Sequence, residues 1–146
     1  MSAASGDDLA VSIDGHLATV EIRRPPNNFF DASLIEQIAG AYERLDDTPA
    51  CRAIVLCAQG KNFCSGANLG ARDAGNASDL SDGAAMGQLY RQAVRIFRCR
   101  KPVIAAVQGA AIGGGLGLAV SADFRVTCAE ARFSANFTRL GFHPGF

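Results

Sequence analysis

Residues 102–115 read Pro102-Val103-Ile104-Ala105-Ala106-Val107-Gln108-Gly109-Ala110-Ala111-Ile112-Gly113-Gly114-Gly115. Pro102 stops any helix before it, because proline lacks an amide hydrogen and its φ is fixed. Residues 103–107 are apolar without alternation, as a strand buried on both faces requires. Gly113-Gly114-Gly115 then opens a short helix expected to run to Ala122. Without side chains, backbone amides there can approach a ligand closely, and helix dipoles would favour negative charge. A tight strand-to-helix turn is the alternative reading of the same glycines. A nucleotide phosphate loop is disfavoured, since neither G-x-G-x-x-G nor G-x-x-x-x-G-K-[ST] occurs.

Upstream, Ala53-Ile54-Val55-Leu56-Cys57-Ala58 is a second buried strand, leading through Gln59–Asn62 into Phe63-Cys64-Ser65-Gly66-Ala67-Asn68-Leu69. Segment 70–84, rich in Gly, Ala, Ser and Asp, is expected to be a mobile loop. A helix near 85–100 would bury Leu89, Ala93, Ile96 and Phe97. Residues 9–22 alternate around Asp14-Gly15, which predicts a β-hairpin. Arg24-Pro25-Pro26-Asn27-Asn28 forbids regular structure. A helix starting at Ser33 would bury Leu34, Ile35, Ile38, Tyr42 and Leu45, capped by Ser33 with Glu36 or by its rival Asp31. Phe124–Cys128 is the last expected strand. The first eight residues are expected to be disordered, and 9–146 to form one domain.

The 146 residues carry 14 basic and 14 acidic side chains, and 49% are apolar. Zero net charge argues against nucleic acid or an anionic membrane as partner. No apolar run reaches the roughly 20 residues of a membrane span, and the N-terminus has no signal-peptide pattern. A cytoplasmic location is expected. Five cysteines (Cys51, Cys57, Cys64, Cys99, Cys128) and two histidines (His16, His143) lack zinc spacing, so no metal is implied. A nucleophilic pair of Cys64 with His143 lacks any supporting motif.

Taken together, Phe63–Leu69 and Pro102–Gly115 resemble the crotonase, or enoyl-CoA hydratase/isomerase, superfamily. Arg24–Asn28, Ser121-Ala122-Asp123-Phe124 and Leu140-Gly141-Phe142-His143-Pro144-Gly145 extend the resemblance over nearly the whole chain. It implies an α/β fold, a crotonase/ClpP-like spiral of ββα units, and an acyl-CoA thioester as substrate. Coenzyme A is then part of the substrate, and no separate cofactor is implied. Two backbone amides, falling on Ser65 and Gly114, would form an oxyanion hole for a thioester enolate. Phe29, Phe30, Ala67, Asn68, Leu69 and Gly145 would line the substrate site. Asn68 stands where the family usually has Asp. Family members continue past Phe146 into helices that complete the acyl pocket and build trimers, so a homotrimer or hexamer is expected of a full-length protein.

The two glutamates that serve hydratases of this family fall on Gly117 and Phe137, which would instead line the pocket. The chain holds only Glu21, Glu36, Glu43 and Glu130, none at either position. Neither glycine nor phenylalanine can exchange a proton. His143, beside Pro144-Gly145, is the replacement base to consider, because imidazole titrates near neutral pH. Its other reading is a histidine in a turn. An acyl-CoA enzyme, as hydratase, isomerase or thioester hydrolase, is the leading expectation. A non-catalytic acyl-CoA-binding or assembly subunit is the alternative.

Overall fold

A computed structural model describes residues 8–68, 83–141 and 143. In chain order the elements are β1 (Leu9–Asp14), β2 (Leu17–Ile22), α1 (Ala32–Asp46), β3 (Ala53–Ala58), α2 (Gly83–Ile96), β4 (Val103–Val107), β5 (Ala110–Ile112), α3 (Gly114–Val120), β6 (Phe124–Thr127) and β7 (Arg132–Ser134). A 3-10 turn, Thr138–Leu140, follows. The main sheet has the order β1-β2-β3-β4-β6, with β1 antiparallel to β2 and the other neighbours parallel. Strands β5 and β7 form a small parallel sheet of their own. The ββα succession expected of the spiral is present in β1-β2-α1 and β4-β5-α3.

The two continuous apolar runs form β3 and β4. Ile54, Leu56, Val103, Ala105 and Val107 are buried there. Helix α1 covers the sheet with Leu34, Ile35, Ile38, Tyr42 and Leu45, the set its spacing predicts. Its cap is Asp31, whose Oδ1 accepts from Leu34 N–H at 2.9 Å. An ion pair between Arg95 and Glu43, at 2.6 Å, links α2 to α1 across their exposed seam.

Several expectations are corrected in detail. Asp14 pairs with Leu17, so the hairpin turn is Gly15-His16, with Gly15 at φ 55°. His16 Nδ1 lies 2.8 Å from Ala50 O. Helix α2 ends at Ile96, and Phe97, expected in the core, is 60% exposed. Once the helix ends, the 3.6-residue period no longer aims a side chain inward. Strands β5 and β7 were not expected, being too short to show a period. The expected mobile loop 70–84 lies outside the described residues apart from its end, where α2 begins at Gly83. Phe124 and Val126 on the edge strand β6 are exposed.

The proline-rich segment is held by Asn28, fully buried with φ 50°. Its Oδ1 accepts from Arg24 N–H at 2.9 Å, and its Nδ2 donates to Gln59 O at 2.8 Å and Asn62 O at 2.7 Å. From the other side, Gln108 Nε2 donates to Ala58 O, Gly60 O and Asn62 O. Two carboxamides thus fix the loop after β3. Asparagine also tolerates the left-handed backbone conformation better than most residues. Asn28→Ala should therefore lower stability by about 2–4 kcal/mol, combining unsatisfied buried groups with backbone strain. Urea unfolding followed by circular dichroism checks this; a loss under about 0.5 kcal/mol would contradict the clamp.

Candidate active site

The ends of β3 and β4 bring Phe63–Asn68 against β5 and the glycine run. Cys64 N–H donates to Ala110 O at 2.9 Å, and Ile112 N–H to Cys64 O at 3.0 Å. This lacing leaves no room for side chains. A Cβ on Gly115 would lie 2.0 Å from Cys64 O, and one on Gly66 would lie 2.8 Å from Ile112 O and 3.8 Å from Gly114 N. Gly66 also has φ +82°, which L side chains rarely adopt. A Cβ on Gly114 would strike the Phe30 ring, 2.1 Å from Cζ. Backbone therefore meets backbone at this place, as an amide-lined site requires.

The hydrogen bonds of those amides do not match the predicted donor pair. Ser65 N–H is committed to Asn27 O at 3.0 Å. It faces the proline-rich segment, so Ser65 N–H is not a free donor. The left-handed turn at Gly66 separates it from the next amide, Ala67 N–H, which has no hydrogen-bond acceptor among the described residues. Gly114 N–H is likewise unspent, since α3 begins there and a helix has no internal acceptors for its first amides. Gly113 N–H is used, donating to Ser134 O at 2.8 Å. The sequence signal for Ala67 is the glycine between the two residues, since glycine admits the left-handed turn that points their amides different ways.

The predicted substrate-lining residues divide. Phe30 is buried beneath Gly114, and its N–H donates to Gly66 O at 3.1 Å, so it forms the site's floor. Phe29 is half-buried, with its carbonyl accepting from Arg24 Nη1 at 3.3 Å. The Phe29 carbonyl and the Phe30 amide are thus engaged within the fold. Ala67 is half-buried and Asn68 exposed at the loop's outer end. Leu69 and Gly145 lie outside the described residues. Gly117 is half-buried in the first turn of α3, where its N–H donates to Gly113 O. Phe137 is brought to the glycine run, its ring 3.9 Å from where a Gly113 Cβ would sit. His143 is exposed, between Phe142 and Pro144, which lie outside the described residues.

No glutamate reaches this place. Glu21 pairs with Arg23, and Glu43 with Arg95, which holds the Glu43 carboxyl below its usual range. Glu130 is exposed near Cys128 and Glu36 faces a groove beside β1. Burial pushes the Cys64 thiol up to about 11, although the amides of Gly66 and Phe30 work against that shift. A thiol so buried is a poor nucleophile, which closes the Cys64–His143 alternative. Among the described residues no three His, Cys, Asp or Glu side chains could hold a metal. None of their helices is long and apolar enough to cross a membrane.

Two outcomes follow from this packing. Native protein treated with a thiol reagent at pH 8 should label the exposed Cys128 within minutes and leave Cys64 unmodified until denaturant is added; peptide mass mapping reads the order. Gly114→Ala should displace the Phe30 ring, and Phe30→Ala should relieve that clash. The double variant should therefore be more stable than the sum of the singles by at least 1 kcal/mol, within the range of about 0.5–3 kcal/mol for contacting pairs. Additive losses would show that Gly114 and Phe30 do not touch.

Residues 12–146 match the Enoyl-CoA hydratase/isomerase family. A Mycobacterium tuberculosis (strain CDC 1551 / Oshkosh) protein named "Probable enoyl-CoA hydratase echA14" is 37% identical over 143 residues, covering 97% of this chain and 55% of that protein. Crotonyl-CoA hydratase of Syntrophomonas wolfei is 31% identical, covering 96% and 54%. Among solved structures, an enoyl-CoA hydratase/carnithine racemase from Magnetospirillum magneticum superposes with a TM-score of 0.85 at 26% identity, covering 97% of this chain and 54% of that one. The chain spans about half the length of the curated relatives it matches. With the ββα succession, the laced glycine segments and this match in hand, the chain belongs to the enoyl-CoA hydratase/isomerase family.

Proposed function

We propose that this chain supplies the thioester-binding half of an enzyme that acts on an acyl-CoA. The observation that carries the reading is the unspent Gly114 N–H, with Gly66 packed against it and Ala67 N–H next in sequence. Two such amides, one from each side of the seam, would hold the thioester oxygen and stabilise the enolate that forms from it. A donor of this kind contributes about 10²–10³ in rate, because it is already oriented when charge develops. The substrate's coenzyme A part would run along Ala67-Asn68, where the chain surfaces. Gly114 and Ala67 are thus the proposed donors, Ala67 replacing Ser65.

Acid–base chemistry is the part this chain does not carry at the expected positions. Gly117 and Phe137 offer no proton, and the side chains nearest Gly113 are the neutral Asn136 carboxamide and the Phe137 ring. The second reading, a subunit that binds acyl-CoA without turning it over, draws on that observation. Incubation of the purified protein with crotonyl-CoA, followed by the loss of enoyl absorbance, separates the two. Turnover supports the enzyme; calorimetric binding without turnover supports the binder. Absence of both would refute the thioester site itself.

If only proton transfer is missing, Gly117→Glu with Phe137→Glu should raise hydration of crotonyl-CoA. General acid–base catalysis contributes about 10²–10⁴-fold, so imperfect placement still gives a measurable gain of tenfold or more. Helix α3 accepts Glu at position 117 on propensity grounds. Phe137 is half-buried, which would raise the pKa of a carboxyl there. The gain should therefore grow from pH 6 to pH 8 if the carboxylate introduced at position 137 must act as a base. A folded, CoA-binding double variant with no gain would show that other groups separate this chain from the hydratases.

A further inference from the structure

Gly113 N–H donates to Ser134 O at 2.8 Å, and Ile112 pairs with Ser134 in the β5–β7 sheet. Strand β7 is thereby locked to the glycine run, and the chain leaving it carries Asn136 and Phe137 past Gly113. Asn136 Oδ1 comes within 3.4 Å of the position a Cβ on Gly113 would take. Gly113 is buried with φ +56°, so no side chain shields this approach. Asn136 is half-buried, and its carboxamide has no hydrogen-bond partner among the described residues. A carboxamide can make up to four hydrogen bonds, and that of Asn136 is not among the buried unpartnered polar groups, so it faces water and is open to a ligand. The adjoining group in the chain is the unspent Gly114 amide on one side; on the other is the Phe137 ring.

We propose that Asn136 is a specificity-determining, substrate-binding residue, whose carboxamide holds an oxygen substituent on the acyl chain close to the thioester. The inference rests on the acyl-CoA reading above. An amide that both donates and accepts fits a hydroxyl or keto oxygen. It is neutral, so it binds and orients but transfers no proton. The Phe137 ring beside it would pack on the carbon chain, so oxygen and hydrocarbon are sorted to adjacent residues.

The test compares 3-hydroxybutyryl-CoA with butyryl-CoA, by calorimetric binding to the purified protein. Wild type should bind the hydroxy ester about 3- to 10-fold more tightly, the net effect of one hydrogen bond. Asn136→Ala should erase that difference while leaving the butyryl-CoA Kd within about twofold, a split that general damage to the fold would not produce. Asn136→Leu, which keeps the bulk without polar atoms, should behave the same and serves if the alanine variant does not fold. Equal binding of both esters by wild type overturns the proposal, and so does a preference that survives in either variant. Failure of wild type to bind butyryl-CoA, hydroxybutyryl-CoA and free coenzyme A would instead refute the acyl-CoA reading, and this inference with it.

Discussion

The carbonyl of Asn62 accepts two side-chain hydrogen bonds, from Asn28 Nδ2 and from Gln108 Nε2. Everything at the candidate site depends on this junction. Asn28 belongs to the proline-rich segment after β2, Asn62 to the loop after β3, and Gln108 to the end of β4. These three strand ends are neighbours in the sheet, but parallel pairing alone leaves their loops free to diverge. The shared acceptor draws them together, and a Cβ at Gly109 would lie only 2.0 Å from Lys61 O. Because Asn28 is fully buried, its bonds are made away from competing water, where leaving them unmade is costly.

That convergence sets the next constraint, close contact between backbones. With the β3 loop drawn against β5, Cys64 becomes a one-residue strand paired with Ala111. Gly66 and Gly115 then occupy positions where any Cβ would penetrate a carbonyl. The fold gives up side-chain packing here and gains backbone amides with no side chain over them. Phe30 and Phe63 compensate from below with buried rings. The floor is apolar while the rim is hydrogen-bonding. Such a division strengthens the electrostatic effect of each amide, since the medium beneath it cannot reorient to screen it.

Features that arise from local patterning were legible in the sequence. Strands β3 and β4 and helix α1 follow from runs and periods long enough to be unambiguous, and the family motifs picked out the two glycine-flanked segments that pack together. Its atomic detail was not legible, because it depends on contacts between distant segments. The choice between Ser65 and Ala67 turns on Asn27 O, far away in sequence, taking up the first amide. Asp31 rather than Ser33 caps α1 because the chain enters the helix from the proline-rich segment earlier than the capping-box spacing suggests. Strands β5 and β7, three residues each, exist because they pair with each other; neither has a pattern of its own. Phe97 shows the converse, an apolar residue in phase with a helix that has already ended.

What distinguishes this site electrostatically is that its described polar groups are dipoles rather than charges. Two carboxylates of adjoining segments are engaged elsewhere: Asp31 caps α1 and pairs with Arg24 at 2.9 Å, and Asp123 accepts from Val103 N–H at 2.8 Å at the start of β4. An anionic enolate formed over Gly114 would therefore meet no like charge from either. Placing a glutamate at 117 or 137 adds a proton carrier but also a negative charge beside that enolate, and the two effects oppose each other. The amides prevail where the carboxylate acts as a base, because it is neutral at the moment the enolate carries its charge. They are opposed where it stays ionised throughout. A site built from amides alone avoids this conflict, and it requires that the proton come from or go to a group that carries no negative charge while the enolate exists.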